Sequence, residues 1–278
     1  MPSFIMKLRL FVLPVFLLSV TITNAQEMFV FSAPASSNPS KTIVAGVNGK
    51  TMNSTHDNKQ EYRYAPELEV GISKKLMLIG GVTFANMFFE DKVEFESVKL
   101  YAKYRIYSND AVHKHFRVAL YATSSWSNNP LVYQELNLDG DNSGVQLGAV
   151  ATQLVHKFAA SAGVSYVQLY GQPNKLNLGY SFSKNAVQYN LSMGYLVFPK
   201  EYKSYNQTNL NIYCEFLGQR STDINRNFVD VAPSIQLIFK SSTMFNIGAR
   251  FQMLGNAHRM GTESLFAGLH YHFFNVWK

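Results

Sequence analysis

Ser264-Leu265-Phe266-Ala267-Gly268-Leu269-His270-Tyr271-His272-Phe273-Phe274, near the C-terminal end, decides how the rest of the chain is read. Leu265, Ala267, Leu269, Tyr271 and Phe273 share one parity; Ser264, Phe266, Gly268, His270 and His272 share the other. Successive side chains of a strand point to opposite faces, so one face is apolar and can meet lipid while the other meets a polar interior. About ten residues of such alternation is what a tilted strand needs to cross a bilayer.

Working back from that stretch, eleven more candidates of similar length precede it. They are Thr42–Met52, Tyr62–Ser73, Leu76–Phe88, Val93–Tyr107, Phe116–Ser127, Gly144–Val155, Phe158–Leu169, Ala186–Phe198, Thr208–Leu217, Phe228–Phe239 and Met244–Leu254. An even number of alternating spans predicts an all-β fold, a transmembrane antiparallel up-and-down β-barrel of about 12 strands. Loop lengths give an independent register. Lys74-Lys75, His156-Lys157 and Lys240-Ser241-Ser242-Thr243 are short, whereas Asn128–Ser143, Tyr170–Asn185 and Gly218–Asn227 on the opposite end are longer. Outer-membrane barrels pair short periplasmic turns with longer outer loops. Ser108–His115 and Pro199–Gln207 are long for periplasmic turns.

The N-terminal stretch has the layout of a secretory leader. Lys7 and Arg9 precede an apolar run from Leu10 to Ile22, and Thr23-Asn24-Ala25 offers small residues before Gln26. That pattern predicts a signal peptide over 1–25, since the apolar run is too short for a transmembrane anchor. Residues 26–41 then form a periplasmic lead-in, and 42–278 the barrel. Loss of Lys7 and Arg9 lowers the formal net charge from +7 by two, to +5, an ordinary value that gives no argument for nucleic acid. Charged residues make up 15% of the chain, below the quarter typical of soluble domains, and aromatics 14%, as interfacial girdles require. The single cysteine, Cys214, has no intramolecular disulfide partner and shares the apolar parity of Leu210, Ile212 and Phe216.

With the apolar face outward, several charges must face the lumen. Glu67 and Glu69 do so from the second strand, Lys99, Lys103 and Arg105 from the fourth, and Arg117, Glu215, Asp230 and Arg250 from later ones. Lining charges select solutes in a water-filled pathway, or pair and close it. Lys99, Lys103 and Arg105, with Arg117 on the next strand, predict a basic stripe on one wall. Tyr64-Ala65-Pro66-Glu67 and Val231-Ala232-Pro233-Ser234 put proline in mid-strand, where a ladder donor is missing and a bulge or local opening is expected. Two H-x-H pairs, His113/His115 and His270/His272, are weak candidates for a metal, because two residues of one parity share a face but no acid or cysteine spacing completes either set. No cofactor is indicated. The chain carries no G-x-S-x-G, H-E-x-x-H, phosphate loop or C-x-x-C, and no enzymatic activity is expected.

Lys99-Leu100-Tyr101-Ala102-Lys103-Tyr104-Arg105, the run Ser108 to Arg117, Asp141-Asn142-Ser143-Gly144-Val145-Gln146, Glu215-Phe216-Leu217-Gly218-Gln219-Arg220 and the closing His270-Tyr271-His272-Phe273-Phe274 carry a resemblance. Across most of the mature chain it resembles a family of uncharacterised outer-membrane barrel proteins from Bacteroidetes. The resemblance implies an outer-membrane location and a transporter-like layout of broad specificity, with no catalytic residues. In layout alone the chain is also similar to barrel components of type IX secretion, without their N-terminal motif in Gln26–Lys41. The expectation is therefore a passive channel or transporter-like pore for small solutes. Its partners are the outer-membrane bilayer and the outer-membrane assembly machinery. The alternatives are a non-conducting structural or docking barrel and, third, a metal-handling one.

Overall fold

The computed structural model of the chain describes residues 29–56, 58–88, 92–170, 181–201 and 206–277. The expected signal peptide and the middle of the Tyr170–Asn185 loop lie outside them. Twelve strands run in chain order: β1 Thr42–Asn53, β2 Gln60–Gly71, β3 Leu76–Ala85, β4 Glu94–Ala111, β5 Lys114–Ser127 and β6 Gly144–Val155. They continue with β7 Phe158–Leu169, β8 Asn185–Phe198, β9 Asn209–Ser221, β10 Asn227–Phe239, β11 Thr243–Gly255 and β12 Glu263–Phe273. Each pairs antiparallel with its sequence neighbours, and β1 also pairs with β12, from Ile43 opposite Phe273 to Thr51 opposite Leu265, closing the barrel. Closure leaves no strand edge, the condition for a sheet to stand in hydrocarbon.

The outer surface follows the alternation. Leu68, Leu78, Leu100, Leu120, Leu147, Val164, Leu191, Ile212, Ile235 and Ile247 are exposed around its middle. Tyr64, Phe84, Phe95, Trp126, Tyr166, Tyr189 and Phe251 ring the loop end, and Tyr104, Phe116, Phe158, Tyr195, Phe239, Phe245, Tyr271 and Phe273 ring the turn end. An aliphatic waist between two aromatic girdles is what a bilayer selects, because amphipathic rings settle at headgroup depth. Cys214 is half-buried on this outer face.

Two connections are tighter than expected: β9 extends to Ser221 and β10 begins at Asn227, which leaves of Gly218–Asn227 only a turn over 222–226, and the second is Ser108–His115. β4 extends to Ala111 and β5 begins at Lys114, so Ser108–His115 contains only a Val112-His113 turn, with His113 at φ 58°. Ser108, Asn109 and Asp110 are polar on both parities, which hid the strand, yet they continue the ladder opposite Arg117, Phe116 and His115. The mid-strand prolines open the ladder without shifting it. β2 pairs with β3 through Tyr64–Phe84 and resumes at Glu67–Gly81; β10 pairs with β11 through Val231–Phe251 and resumes at Ser234–Gly248.

Replacing Leu100, 65% exposed at the waist, with Arg should cost about 2–4 kcal/mol of folding free energy in lipid. Denaturant titration of the barrel in vesicles measures it; an unchanged midpoint would mean that this face does not meet hydrocarbon.

Candidate functional site

Two stretches outside the strands enter the barrel and set the geometry of its interior. The first is the N-terminal segment before β1. Read from sequence as a periplasmic lead-in, Phe29–Ser40 instead runs within the lumen of the turn-end half, because the polar inner wall supplies partners for its backbone. Glu215 Oε1 accepts from the backbone N–H of Val30 (2.9 Å) and of Phe31 (2.8 Å), and Oε2 accepts from the hydroxyls of Ser32 (2.6 Å) and Ser192 (3.0 Å). Thr152 Oγ1 accepts from Ala35 N–H at 2.8 Å, Lys103 Nζ donates to the Pro34 carbonyl at 2.8 Å, Arg117 to Ser36 Oγ at 2.9 Å, and Asn38 Nδ2 to Glu69 at 2.7 Å. Phe29 meets Tyr213 edge-on, and Phe31 packs on Phe266.

The second insert is the β5–β6 loop, residues 128–143, which folds into the loop-end half. Its apolar residues drive it there. Leu131, Leu136 and Leu138 bury against Val167, Leu169 and Ala186, and Val132 and Tyr133 against Met52, Ala85, Met87, Phe88 and Met260. Its acids then meet the wall. Glu135 contacts Arg250 (3.1 Å) and Arg259 (2.8 Å), and Asp139 contacts Lys99 (2.5 Å). Arg63 joins Asp141 to Glu96, and Gly140, at φ 114°, sits so close to that guanidinium that an added Cβ would lie 2.6 Å from it. Arg259 holds Asp230 in a two-pronged contact (2.8 and 2.9 Å) and lies over the Phe228 ring at 3.9 Å; Arg250 also bonds Asp230. Burial disfavours the charge on Glu135, but Arg259 and Arg250 outweigh it and hold the carboxyl well below the usual carboxylate range. Lys99 does the same for Asp139.

Between the inserts lies a cavity of about 750 Å³. Its lining runs from Lys74, Ser241 and Phe274 at the turn end to Lys50, Arg63 and the underside of the loop at Glu135–Asp139. Glu67, Glu69, Lys99, Lys103, Arg105, Arg117 and Arg250 line it. Glu215 and Asp230 also face inward but are fully buried beneath the segment and the loop pairings. The expected basic stripe is broken up: Lys99 is paired with Asp139, Lys103 and Arg105 donate to the carbonyls of Pro34 and Lys74, and Arg117 contacts Asp110 at 3.1 Å.

The histidine pairs separate. His113 stands at its turn stacked on His156, with ring centroids 5.9 Å apart, while His115 faces inward, 3.0 Å from Asp110. His272 stacks on Phe274, and His270 points across β1 to Glu67 and Asn48. Sequence reasoning missed Glu135, Asp139 and Asp141, assigned to the outer loop Asn128–Ser143, and Arg259, which falls between the last two candidate strands. The signal was present in Leu131-Val132-Tyr133 and Leu136, too apolar for a solvated loop.

No protein-family model matches the chain, and no curated protein matches it. Solved structures do. An outer membrane channel from Pseudomonas putida F1 superposes with a TM-score of 0.61 at 12% identity, over 88% of this chain and 100% of that one. The NanC porin superposes with a TM-score of 0.55 at 11% identity, over 82% of this chain and 98% of that one. At such identities the likeness is one of fold: this chain has the closed, twelve-stranded fold of an outer-membrane β-barrel.

Proposed function

We propose that the chain is an outer-membrane channel for small polar solutes, held constricted by two inserts of its own sequence. The observation that carries this reading is the cavity of about 750 Å³, which continues between the inserts from the turn end to the underside of the loop. A barrel with a purely structural role gains nothing from such a space, whereas a packed small barrel fills its interior with side chains. The lining mixes both signs of charge and amides, suited to hydrated solutes. The resemblance to transporter-like barrels of Bacteroidetes points the same way. In this reading Asn128–Ser143 faces outside and the Lys74-Lys75 turn faces the periplasm; a cysteine at Lys74 that reacts with an impermeant label on intact cells, in a Cys214→Ser background, reverses the orientation.

The loop forms the constriction. Glu135 ties it to β11 and to the segment before β12, and Asp139 ties it to β4. In planar bilayers the wild-type barrel should give small, infrequent steps, and Glu135→Gln combined with Asp139→Asn should give larger and longer openings, several-fold in open probability. Silence from both proteins, each shown to be folded, sinks the channel and favours a docking barrel of the envelope.

Acid offers a second handle, with a definite sign. Both carboxyls are held below their ordinary values, so these two ties are fully present above the ordinary carboxylate pKa near 4 and are lost only as the pH falls through the depressed values. Burial raises Asp141, the loop's third tied acid, whose bond to Arg63 is not part of this latch. Conductance should thus be flat on moving from neutral pH to about 5, and rise only well below 4. Opening at mildly acidic pH would show that a different group holds the loop.

A further inference from the structure

We propose that Glu67, Glu69 and His270 form a binding site for a first-row divalent cation on the wall of the cavity. Barrel closure makes the site. On β1, Gly46 stands opposite His270 of β12 on one side and opposite Glu67 of β2 on the other, so the two side chains occupy one level, separated by a strand position with no side chain. The imidazole lies across that gap. A Cβ at residue 46 would come 2.2 Å from His270 Cδ2 and 2.8 Å from Nε2, so only glycine admits this orientation. Glu69, two residues along β2, shares the inward face of Glu67. One donor atom from each of the three residues lies within 4.8 Å of the others.

The spacing of His270 and Glu67 fits a metal shell. Donors about 2.1 Å from a tetrahedral ion stand about 3.4 Å from one another. His270 Nε2 and Glu67 Oε1 are 3.4 Å apart. Asn48 Oδ1, 3.0 Å from the same nitrogen, is a further oxygen at that point, and Asn48 Nδ2 steadies Glu67 Oε1 at 2.9 Å. Two carboxylates and an imidazole suit borderline ions such as zinc.

Charge argues in the same direction. Among the described residues no lysine or arginine stands within ion-pair distance of Glu67 or Glu69; the neighbouring Lys99 and Lys103 are held by Asp139 and the Pro34 carbonyl. Two adjacent carboxylates in a largely buried wall require a counter-cation or a proton. His270 is 7% exposed, and its Nε2 is the ring nitrogen turned toward Glu67 and Asn48. All four residues border the cavity, so an ion reaches them without passing through the wall.

The test uses the full mature barrel, refolded in detergent and checked by its heat-dependent gel shift, titrated with Zn²⁺ by calorimetry. One ion should bind to the wild type, and affinity at that site should fall at least tenfold in Glu67→Gln/Glu69→Gln and in His270→Gln. His113→Ala/His156→Ala, which removes the stacked pair at the turns, should leave it unchanged. Equal zinc binding by the wild type and the folded double-glutamine variant overturns the site, as does absence of binding to the wild type. If the variants do not fold, zinc-edge X-ray absorption on the wild type still decides: an oxygen and nitrogen shell with a single imidazole supports the site, and two imidazoles or none rejects it. Neither result depends on whether the barrel conducts.

Discussion

The pairing of β1 with β12 is the constraint on which everything else in this molecule depends. In hydrocarbon every backbone N–H and C=O needs a protein partner, and a sheet meets that demand only by closing on itself. Once nine residue pairs join the first strand to the last, the parity of every side chain is set. Apolar residues must turn outward, and the polar ones are gathered into the interior. The interior then needs partners of its own. The N-terminal segment and the 128–143 loop supply them for most of the inward charges, Lys99, Lys103, Arg117, Glu215 and Arg250 among them.

The interior ties divide by chemistry. Toward the loop end the bonds are ionic and clustered, with Arg63, Arg250 and Arg259 each contacting two carboxylates. Breaking one contact there leaves each arginine a second acid, so single substitutions are partly buffered. Toward the turn end the bonds run from wall side chains to the main chain of the segment, and Glu215 alone holds three of its residues. Hydrogen bonds to a charged group contribute about 1.5–3 kcal/mol each, so loss of that carboxylate frees the segment more completely than loss of any one pair frees the loop.

The barrel itself was legible in the sequence because its signal is local: parity repeats every two residues, and each strand announces itself within about ten. The lumen was not legible for the opposite reason. Asp139 meets Lys99 and Glu135 meets Arg259 through the folding-back of a loop whose ends are fixed by strands on either side, and no local pattern encodes that return. His270 and Glu67 are remote in the chain yet adjacent in space because β1 lies between β12 and β2. Reading His270 with His272 followed the parity rule correctly but looked along the strand, when the partners lay across it. The hidden strand end at Ser108–Ala111 is the reverse case: its local signal was weak because both faces are polar there.

The N-terminal segment also has a mechanical meaning. It is bonded to β2 through Glu69, to β4 and β5 through Lys103 and Arg117, to β6 through Thr152 and to β9 through Glu215. Those strands lie on different sides of the ring. A hoop braced by spokes from a single strut resists being squeezed into an oval, so the lateral pressure of a bilayer is borne by the strut as well as by the ladder. The two places where proline interrupts the ladder, beside Pro66 and Pro233, are where an unbraced hoop would fold first. Cutting the strut would therefore change the roundness of the barrel as well as the width of its cavity.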